Sequence, residues 1–523
     1  ACEALKALAE EPLLLLSREW ARLANNRDLV LSTPRYDLVL MDEAHAARRR
    51  ANVEGEFNSG NLLLDLLRQM QLRGRTRGIL LLSATPMQTQ PWEPWDLLSV
   101  LGAGGRWLAG FEEIRDYYGA VGRLSRGLQV SLPAARPVIN LVVEDEAFPA
   151  LPGGHRPHAQ ALQRRLTFPH GAAEARETSD WLRKGAPLGR QMHRNTRETL
   201  RAYHKLGMLE APPPTRQVAD VVFDYQDERE RDVYKAIKTY IDRRFEQLEG
   251  EKAGKGFVMT VYRRRLASSP YALKASLRRR LHKLEQVIKA LTPAALVWTD
   301  EDETIADRLE LEPDLDVLLD EALPKSAEVA HAEAADIRHL LGRLDGLDQT
   351  DSKRDRFFGV LERALADSRR VLVFTEYADT MRYLRDWLRP VYKERIGCYS
   401  GEGGRVIEDG EWKAVTKAEI TRRLFAGQLD VLICTDAASE GLNLQEASVV
   451  INYDLPWNPS RVEQRIGRVD RIGQARAQVW VRNLFLADSV DMRVYELLRQ
   501  RCGLFTHFVG HMQPVLDQAR RAL

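Results

Sequence analysis

The 523-residue chain has only four cysteines, Cys2, Cys398, Cys434 and Cys502. They lie far apart and form no C-x-x-C pair, which argues against a structural zinc site or a disulfide scaffold and fits a reducing cytosol. No apolar run approaches the roughly 18 residues a membrane span requires, and no basic-then-apolar leader opens the chain. Charge of one sign is also missing: 77 basic and 75 acidic residues leave +2. Any surface for a polyanion is therefore local. Nowhere do the 523 residues spell G-x-G-K-[ST], the loop whose backbone N–H groups and lysine cradle phosphates. The expectation is a soluble intracellular protein, long enough for two or more cores.

What the chain does contain is a series of short apolar runs that stop on polar residues. The first part has "LLLLS" (Leu13 to Ser17), "YDLVLMDE" and "GILLLSATP" (Gly78 to Pro86), which predict buried parallel strands. From Gly119 to Gly189 the pattern dissolves into Pro, Gly and Arg, with "FPALPGGHRPH" the clearest loop, and is read as an insertion. Residues 190–350 are read as helical, with a basic stretch at "YRRRLASSPYALKASLRRRLHK" (Tyr262 to Lys283) and an acidic one from Thr299 to Pro324. Beyond 351, Phe357, Leu361 and Leu365 share a helix face, "VLVF" predicts a strand, and Met381, Leu384 and Leu388 line another helix. "DVLICT" (Asp430 to Thr435), "SVVINYD" (Ser448 to Asp454) and "VWVRNLFL" (Val479 to Leu486) predict further strands. Alternating strand and helix predicts an α/β fold with two parallel-sheet lobes.

In such sheets ligands gather at the carboxyl ends of strands, where this punctuation falls. Asp42 and Glu43 follow a strand directly, which suits one carboxylate to hydrated Mg²⁺ and the next to an attacking water. D-E-A-H alone reads equally well as a helix N-cap with a solvated turn. "SATP" closes the next strand with two hydroxyls, Ser83 and Thr85. In "QRIGRVDR" the spacing of Gln464, Arg468 and Arg471 puts them on one helical face, where two guanidiniums can neutralise a transferred phosphoryl group. The alternative is a surface helix with ordinary arginines.

Taken in order, D-E-A-H, S-A-T, T-D-x-x-x-E-G-L-N and Q-x-x-G-R-x-x-R resemble the motifs of a superfamily 2 helicase-type ATPase of the Swi/Snf branch. "SEGLNL", "VINYDLPWNP", "RVDRIGQ" and "MHRNTRETLR" (Met192 to Arg201) resemble that branch, and "YDLVLMDEAHAARR", "RLASSPYAL" and "DLPWNPSRVEQRIGRVDRIGQ" its bacterial and archaeal RapA-like members. The resemblance implies two RecA-like lobes, the first incomplete, with helical insertions between them. It implies ATP and Mg²⁺ as cofactors, Asp42 holding Mg²⁺ through water, Glu43 as catalytic base and His45 linking the nucleotide site to the second lobe. Ser83 and Thr85 would couple hydrolysis to DNA contact. Thr435, Glu440 and Gly441 would lie near nucleic acid and nucleotide, and Gln464, Arg468 and Arg471 would reach the triphosphate, the two arginines as fingers. Arg194 and Arg197 would contact phosphates of the nucleic acid.

The implied activity is ATP-dependent translocation on duplex DNA in the cytoplasm, at the nucleoid. RNA, or RNA polymerase and other protein subunits, stand as alternative partners, and no membrane is involved. The expected divisions are a partial first lobe over 1–118 (motifs Ib, II and III), the insertion 119–189, the inter-lobe helices 190–350, the second lobe 351–487 (motifs IV, V and VI) and a bracing helix in 488–523. The missing motif I, and a start inside the first lobe, give the expectation of a fragment of a longer protein. Without that loop a non-hydrolysing scaffold is the rival of another class. Three features stay open: the basic stretch is either a duplex path or a solvated helix bundle, Trp457 either packs or stacks on a base, and "HFVGH" has the i, i+4 spacing of a metal pair but no carboxylate near it in sequence.

Overall fold

The computed structural model describes residues 11–487 apart from 34, 52–56, 84–85, 87–91, 194–196, 252–258, 290–322, 325, 348–349, 368, 437–441 and 457–458. The acidic stretch up to residue 322, Trp457, the helix expected in 488–523 and "HFVGH" lie outside the described residues. The chain divides into two compact units, with the boundary between Thr196 and Arg197.

The first unit opens on helices. Leu13 to Ser17, expected as a buried strand, is irregular, with Leu13 and Leu15 almost fully exposed. Ser17 instead caps α1 (Arg18–Arg22), accepting Trp20 N at 3.0 Å, and α2 (Ala24–Ser32) follows. Then come β1 (Tyr36–Met41), the antiparallel pair β2 (Arg49–Ala51) and β3 (Phe57–Gly60), α3 (Leu62–Leu72), β4 (Thr76–Leu81) and α4 (Glu93–Val100). β1 and β4 pair in parallel, with Leu40 opposite Leu80. Asn61 starts α3 by accepting Leu64 N at 2.9 Å, and the helix packs Leu63, Leu64 and Leu67 with Met41, Leu97 and Val100. On the other sheet face Leu38, Leu40 and Leu80 are exposed, so among the described residues this small parallel sheet is covered on one side.

Residues 119–189 are not irregular. Together with the residues just before them they form α5 (Phe111–Ser125), α6 (Leu132–Glu144), α7 (Ala159–Thr167), α8 (Gly171–Gly185) and α9 (Pro187–Gln191). Ile114, Tyr117, Val121 and Leu124 recur at helical spacing and enter a core with Trp107, Leu141, Leu162 and Leu182. The glycine- and proline-rich segment between α6 and α7 is the longest loop here, and its density of Pro and Gly hid the periodic apolar residues on either side.

The second unit contains α10 (Arg197–Lys205), β5 (Thr215–Phe223), α11 (Glu228–Glu251), α12 (Thr260–Ser268), α13 (Pro270–Lys289), α14 (Ala327–Asp345) and α15 (Ser352–Ala366). After these come β6 (Val371–Phe374), α16 (Ala378–Tyr392), β7 (Ile396–Ser400), β8 (Gly403–Glu408), β9 (Glu411–Val415) and α17 (Lys417–Phe425). β10 (Val431–Cys434), β11 (Val449–Asn452), α18 (Pro459–Ile466) and β12 (Gln478–Leu486) complete it. One eight-stranded sheet runs β5-β12-β11-β6-β10-β7-β8-β9. The strands from β5 to β7 pair in parallel, and β8 and β9 are antiparallel. The strands β6, β10 and β11, apolar except for Asn452 at the end of β11, are buried throughout, as a parallel sheet covered on both faces requires.

Two parts of this sheet fall outside the expected pattern. β5 comes from the region read as purely helical and pairs with β12 from Thr215 opposite Gln478 to Phe223 opposite Leu486. The β8–β9 hairpin turns at Asp409 and Gly410, with φ of 53° and 77°, as a two-residue turn of left-handed residues demands.

Candidate functional site

In the first unit, β1 delivers Asp42 and Glu43 to its carboxyl end. Asp42 is exposed, and its Oδ1 accepts Glu43 N at 2.9 Å. Glu43 is left-handed, with φ 52° and ψ 45°, an arrangement that costs a non-glycine residue about 1 kcal/mol or more. This residue turns the chain into the short 3₁₀ segment Ala44–Ala46, which is fastened to the end of β4 by Ala44 N donating to Leu82 O at 2.9 Å. Asn61 Nδ2 donates to Ala46 O at 2.7 Å and holds the other end of the turn.

The result brings His45 Nδ1 within 3.0 Å of Ser83 Oγ and 3.1 Å of Glu43 Oε2. The contact with Ser83 is a hydrogen bond whose donor depends on the imidazole tautomer, and Glu43 Oε2 stands at ion-pair distance from the same nitrogen. Glu43, His45 and Ser83 are thus brought together, while Thr85 lies outside the described residues. The arginines that follow are used internally. Arg48 pairs with buried Glu93 at 3.3 Å, and Arg49 donates to Asp96 from N at 2.7 Å and from Nε at 2.5 Å. Burial lifts the Asp96 carboxyl above its ordinary range, against the pull of Arg49.

In the second unit three adjacent strands, β11, β6 and β10, end on Asp454, on Thr375 with Glu376, and on Thr435 with Asp436. Asp454 Oδ2 accepts Thr375 Oγ1 and Ser268 Oγ, each at 2.6 Å, and its Oδ1 accepts Glu376 N at 2.8 Å. The buried residue that joins these ends is Arg465, fully enclosed on α18. Its Nε donates to Asp436 Oδ1 at 2.5 Å and its NH1 to Asp454 O at 2.8 Å. Burial alone would lower its pKa, but Asp436 and Asp454 outweigh burial and raise it. Glu376 is shifted upward, first by burial and also by Asp454 and Asp436, against Arg264.

Gln464, Arg468 and Arg471 do not share a helix face as expected. α18 ends at Ile466, and both arginines stand in the turns beyond it. Arg468 Nε donates to Gln464 O at 3.2 Å and its NH1 to Leu442 O at 3.3 Å, and Arg471 Nε donates to Gly467 O at 2.8 Å. All three stay partly exposed and in one local segment, which the turns preserve in place of the helix. Gln474, the last residue of "RIGQ", is the fastening of those turns: buried Nε2 donates to Gln445 O at 2.7 Å, Val469 O at 2.9 Å and Ala447 O at 3.0 Å.

Arg197, expected at nucleic-acid phosphates, is engaged elsewhere. Its NH2 donates to Asp470 O at 2.8 Å and pairs with the Asp470 carboxylate, which also takes Arg216 Nε at 3.0 Å. Arg216 forks onto Glu463 at 2.8 and 2.9 Å as well. Arg194, Glu440 and Gly441 lie outside the described residues, and Thr435, which is described, is buried with its N donating to Tyr399 O at 3.0 Å.

Most cations of the basic stretch are held by acidic side chains. Arg263 pairs with Asp242 at 2.6 Å, Arg264 with Glu376 at 2.6 Å, Arg265 with Asp379 at 3.1 Å, Arg279 with Asp379 at 3.0 Å and Arg280 with Glu333 at 3.0 Å. Lys274 and Arg278 share Asp345. Acidic partners distant in sequence neutralise these charges and tie α12 and α13 to the other helices and to the sheet. Among the described residues there is no group of three or more His, Cys, Asp and Glu placed to hold a metal, and no helix is long and apolar enough to cross a membrane.

Residues 354–473, which carry these strand ends and α18, match the family described as "Helicase conserved C-terminal domain". The second unit therefore contains a segment that matches the helicase C-terminal domain family. Over 149 residues the chain is 38% identical to an uncharacterized ATP-dependent helicase, YqhH, of Bacillus subtilis, and over 118 residues 39% identical to the RNA polymerase-associated protein RapA of Vibrio cholerae. These matches support the resemblance to the RapA branch of Swi/Snf-type superfamily 2 ATPases. They cover 28% and 22% of this chain and only 25% and 12% of those relatives. Among solved structures, the Pyrococcus furiosus Hef helicase domain aligns with 92% of this chain and 77% of its own, at 14% identity and a TM-score of 0.37. The C-terminal part of the Fun30 ATPase domain aligns with 55% of this chain and 90% of its own, at 15% identity and a TM-score of 0.32.

Proposed function

We propose that this chain carries the hydrolytic and coupling residues of a nucleic-acid-dependent ATPase that translocates on duplex DNA in the cytoplasm, at the nucleoid. The observation that supports it best is the placing of motif residues: Asp42, Glu43, His45 and Ser83 just past the ends of β1 and β4 in one unit, and in the other Asp436 just past β10 with Gln464, Arg468 and Arg471 on α18 and the turns that follow it. Asp42 is an exposed hard-oxygen donor just past a strand, which fits a Mg²⁺ ion held mainly by water and phosphate oxygens. MgATP, when bound, supplies the phosphoryl group and part of the charge neutralisation. Glu43 would take the proton of the attacking water, and His45, set between Glu43 and Ser83, would pass a change at the base on to motif III. Arg468 and Arg471 would stabilise charge on the phosphoryl group.

Substituting Arg471→Ala in a complete protein containing this chain tests the assignment. DNA-stimulated ATPase activity should fall by about 10³-fold, the scale of an arginine finger. Activity near the wild-type rate would remove Arg471 from the mechanism. Stimulation by duplex DNA, single-stranded DNA and RNA, compared side by side, separates duplex translocation from the RNA- or RNA-polymerase-linked activity that the RapA relative suggests. A second reading, a nucleic-acid-binding scaffold without hydrolysis, is favoured by the absence of G-x-G-K-[ST] from these residues. Full DNA-dependent binding with no ATP turnover in the complete protein would establish it.

A further inference from the structure

The sequence "RLASSPYAL" contributes nothing to the proposed chemistry, yet its two serines sit beneath the strand ends of the second unit. Ser269 is extended, with φ −157° and ψ 149°, and so ends α12. It also begins α13, because its Oγ accepts Ala272 N at 3.0 Å and Pro270 takes the first helical position. Ser268, Ser269 and Thr380 are all fully buried. Ser269 Oγ lies 2.8 Å from Thr380 Oγ1, Thr380 Oγ1 lies 2.8 Å from Ser268 Oγ, and Ser268 Oγ lies 2.6 Å from Asp454 Oδ2.

The proton order in this row is fixed by its end. An ionised carboxylate only accepts, so Ser268 donates to Asp454, Thr380 donates to Ser268, and Ser269 donates to Thr380 while accepting from the Ala272 amide. Each hydroxyl donates once and accepts once, so the row is polarised in one direction and strengthens cooperatively. Beyond Asp454 the connection continues. Its backbone oxygen accepts Arg465 NH1 at 2.8 Å, and Arg465 also holds Asp436 at the end of β10. The helix that carries Arg465 runs directly into the turns of Arg468 and Arg471. Arg264, from the same sequence run, adds a parallel tie through Glu376, whose N donates to Asp454 Oδ1 at 2.8 Å.

We propose that the α12–α13 junction is a positioning element for the motif VI arginines, acting through the hydroxyl row Ser269–Thr380–Ser268 onto Asp454 and from there through Arg465. Its functional meaning rests on the assignment of Arg468 and Arg471 to nucleotide contact, but its geometry does not. A change in the helical region would reach the arginines along this row, so the helices act as a lever on the segment that faces the nucleotide.

Hydrogen exchange of backbone amides, read by mass spectrometry on the 523-residue chain without nucleotide, tests the row. Ser268→Ala interrupts it and should speed exchange in residues 459–474 by about tenfold with β6 unchanged, whereas Ser268→Thr keeps the hydroxyl and should stay within about twofold of wild type. Asp454→Asn, which preserves shape, should speed the same segment, and its combination with Ser268→Ala should add nothing further. Unchanged exchange in 459–474 with faster exchange confined to 260–272 would overturn the proposal, because the serine would then only fix its own helix junction. Multiplying effects in the double variant would overturn it as well. Since no nucleotide is present, failure here is separate from failure of the Arg471 assignment.

Discussion

Glu333 is the sharpest place to test whether the basic stretch is an interior scaffold. Its carboxylate accepts Arg280 Nε at 3.0 Å and Tyr240 OH at 3.1 Å, and Arg244 NH2 lies 3.0 Å from its other oxygen. All three charged side chains are almost wholly buried. Arg280 is held above its ordinary pKa because Glu333 outweighs burial. At about 3 Å and an effective dielectric near 20, each ion pair is worth about 5 kcal/mol before desolvation. Glu333→Gln removes both attractions and turns an amide N–H toward guanidinium donors. Removing one partner of a buried pair costs about 3–5 kcal/mol, and with two stranded cations the upper end applies.

In urea that loss corresponds to a midpoint lowered by about 1.5 M for the second unit, given a slope of about 3 kcal/mol/M. Circular dichroism at 222 nm follows it, and exchange in α11 and α13 assigns it to this unit. The triple change Glu333→Leu, Arg244→Met, Arg280→Met leaves no unpaired charge and should recover to within about 2 kcal/mol of wild type. A Glu333→Gln loss below about 1 kcal/mol, or a triple variant weaker than the single, would refute the scaffold argument. An arginine surface waiting for phosphates would show neither effect.

Arg197→Ala should weaken the second unit by stranding part of the Asp470 charge, yet leave the slope of log affinity for duplex DNA against log salt unchanged, whereas loss of a phosphate contact lowers that slope by about 0.9. Gln474→Glu should cost more than Gln474→Ala, by about 1–3 kcal/mol in denaturant titration, because a carboxylate faces three carbonyl oxygens with no proton to give. Glu376 titrates above its ordinary value of 4.5, so its native form takes up a proton at a pH where the unfolded chain does not. From neutrality down through that raised pKa toward 4.5, wild type should gain stability relative to Glu376→Gln. Urea midpoints of both proteins at about pH 7 and about pH 5 check the sign.

What could be read in the sequence divides by physical cause. β6, β10 and, up to Asn452, β11 are apolar because both faces are covered, so each shows as a short apolar run. β5 mixes polar and apolar residues near the sheet edge, beside a basic helical region, and gave no such run. The hairpin of β8 and β9 was not anticipated, although Asp409-Gly410, a dipeptide that tolerates two left-handed residues, is the signal that could have found it. Motif II and motif III were legible as letters. That Glu43 would have to be left-handed to bring His45 to Ser83 was not, because that conformation is imposed by the ties of Ala44 and Ala46 to neighbouring elements.

Arg465 is the instructive case. Three arginines in one short segment look interchangeable, and a spacing of four and three drew attention to Gln464, Arg468 and Arg471 as one helical face. Yet Val462, Ile466 and Val469 are all fully buried, and Arg465 falls among them at helical spacing. A charged residue on an apolar face demands acidic partners at the site it enters, and Asp436 and Asp454 follow the two strands that end there. The same spacing leaves Gln464, Arg468 and Arg471 on the partly exposed side, whether helix or turn carries them. The apolar pattern therefore separates the buried arginine that fixes the segment from the two that stay partly exposed, and it does so before any motif is named.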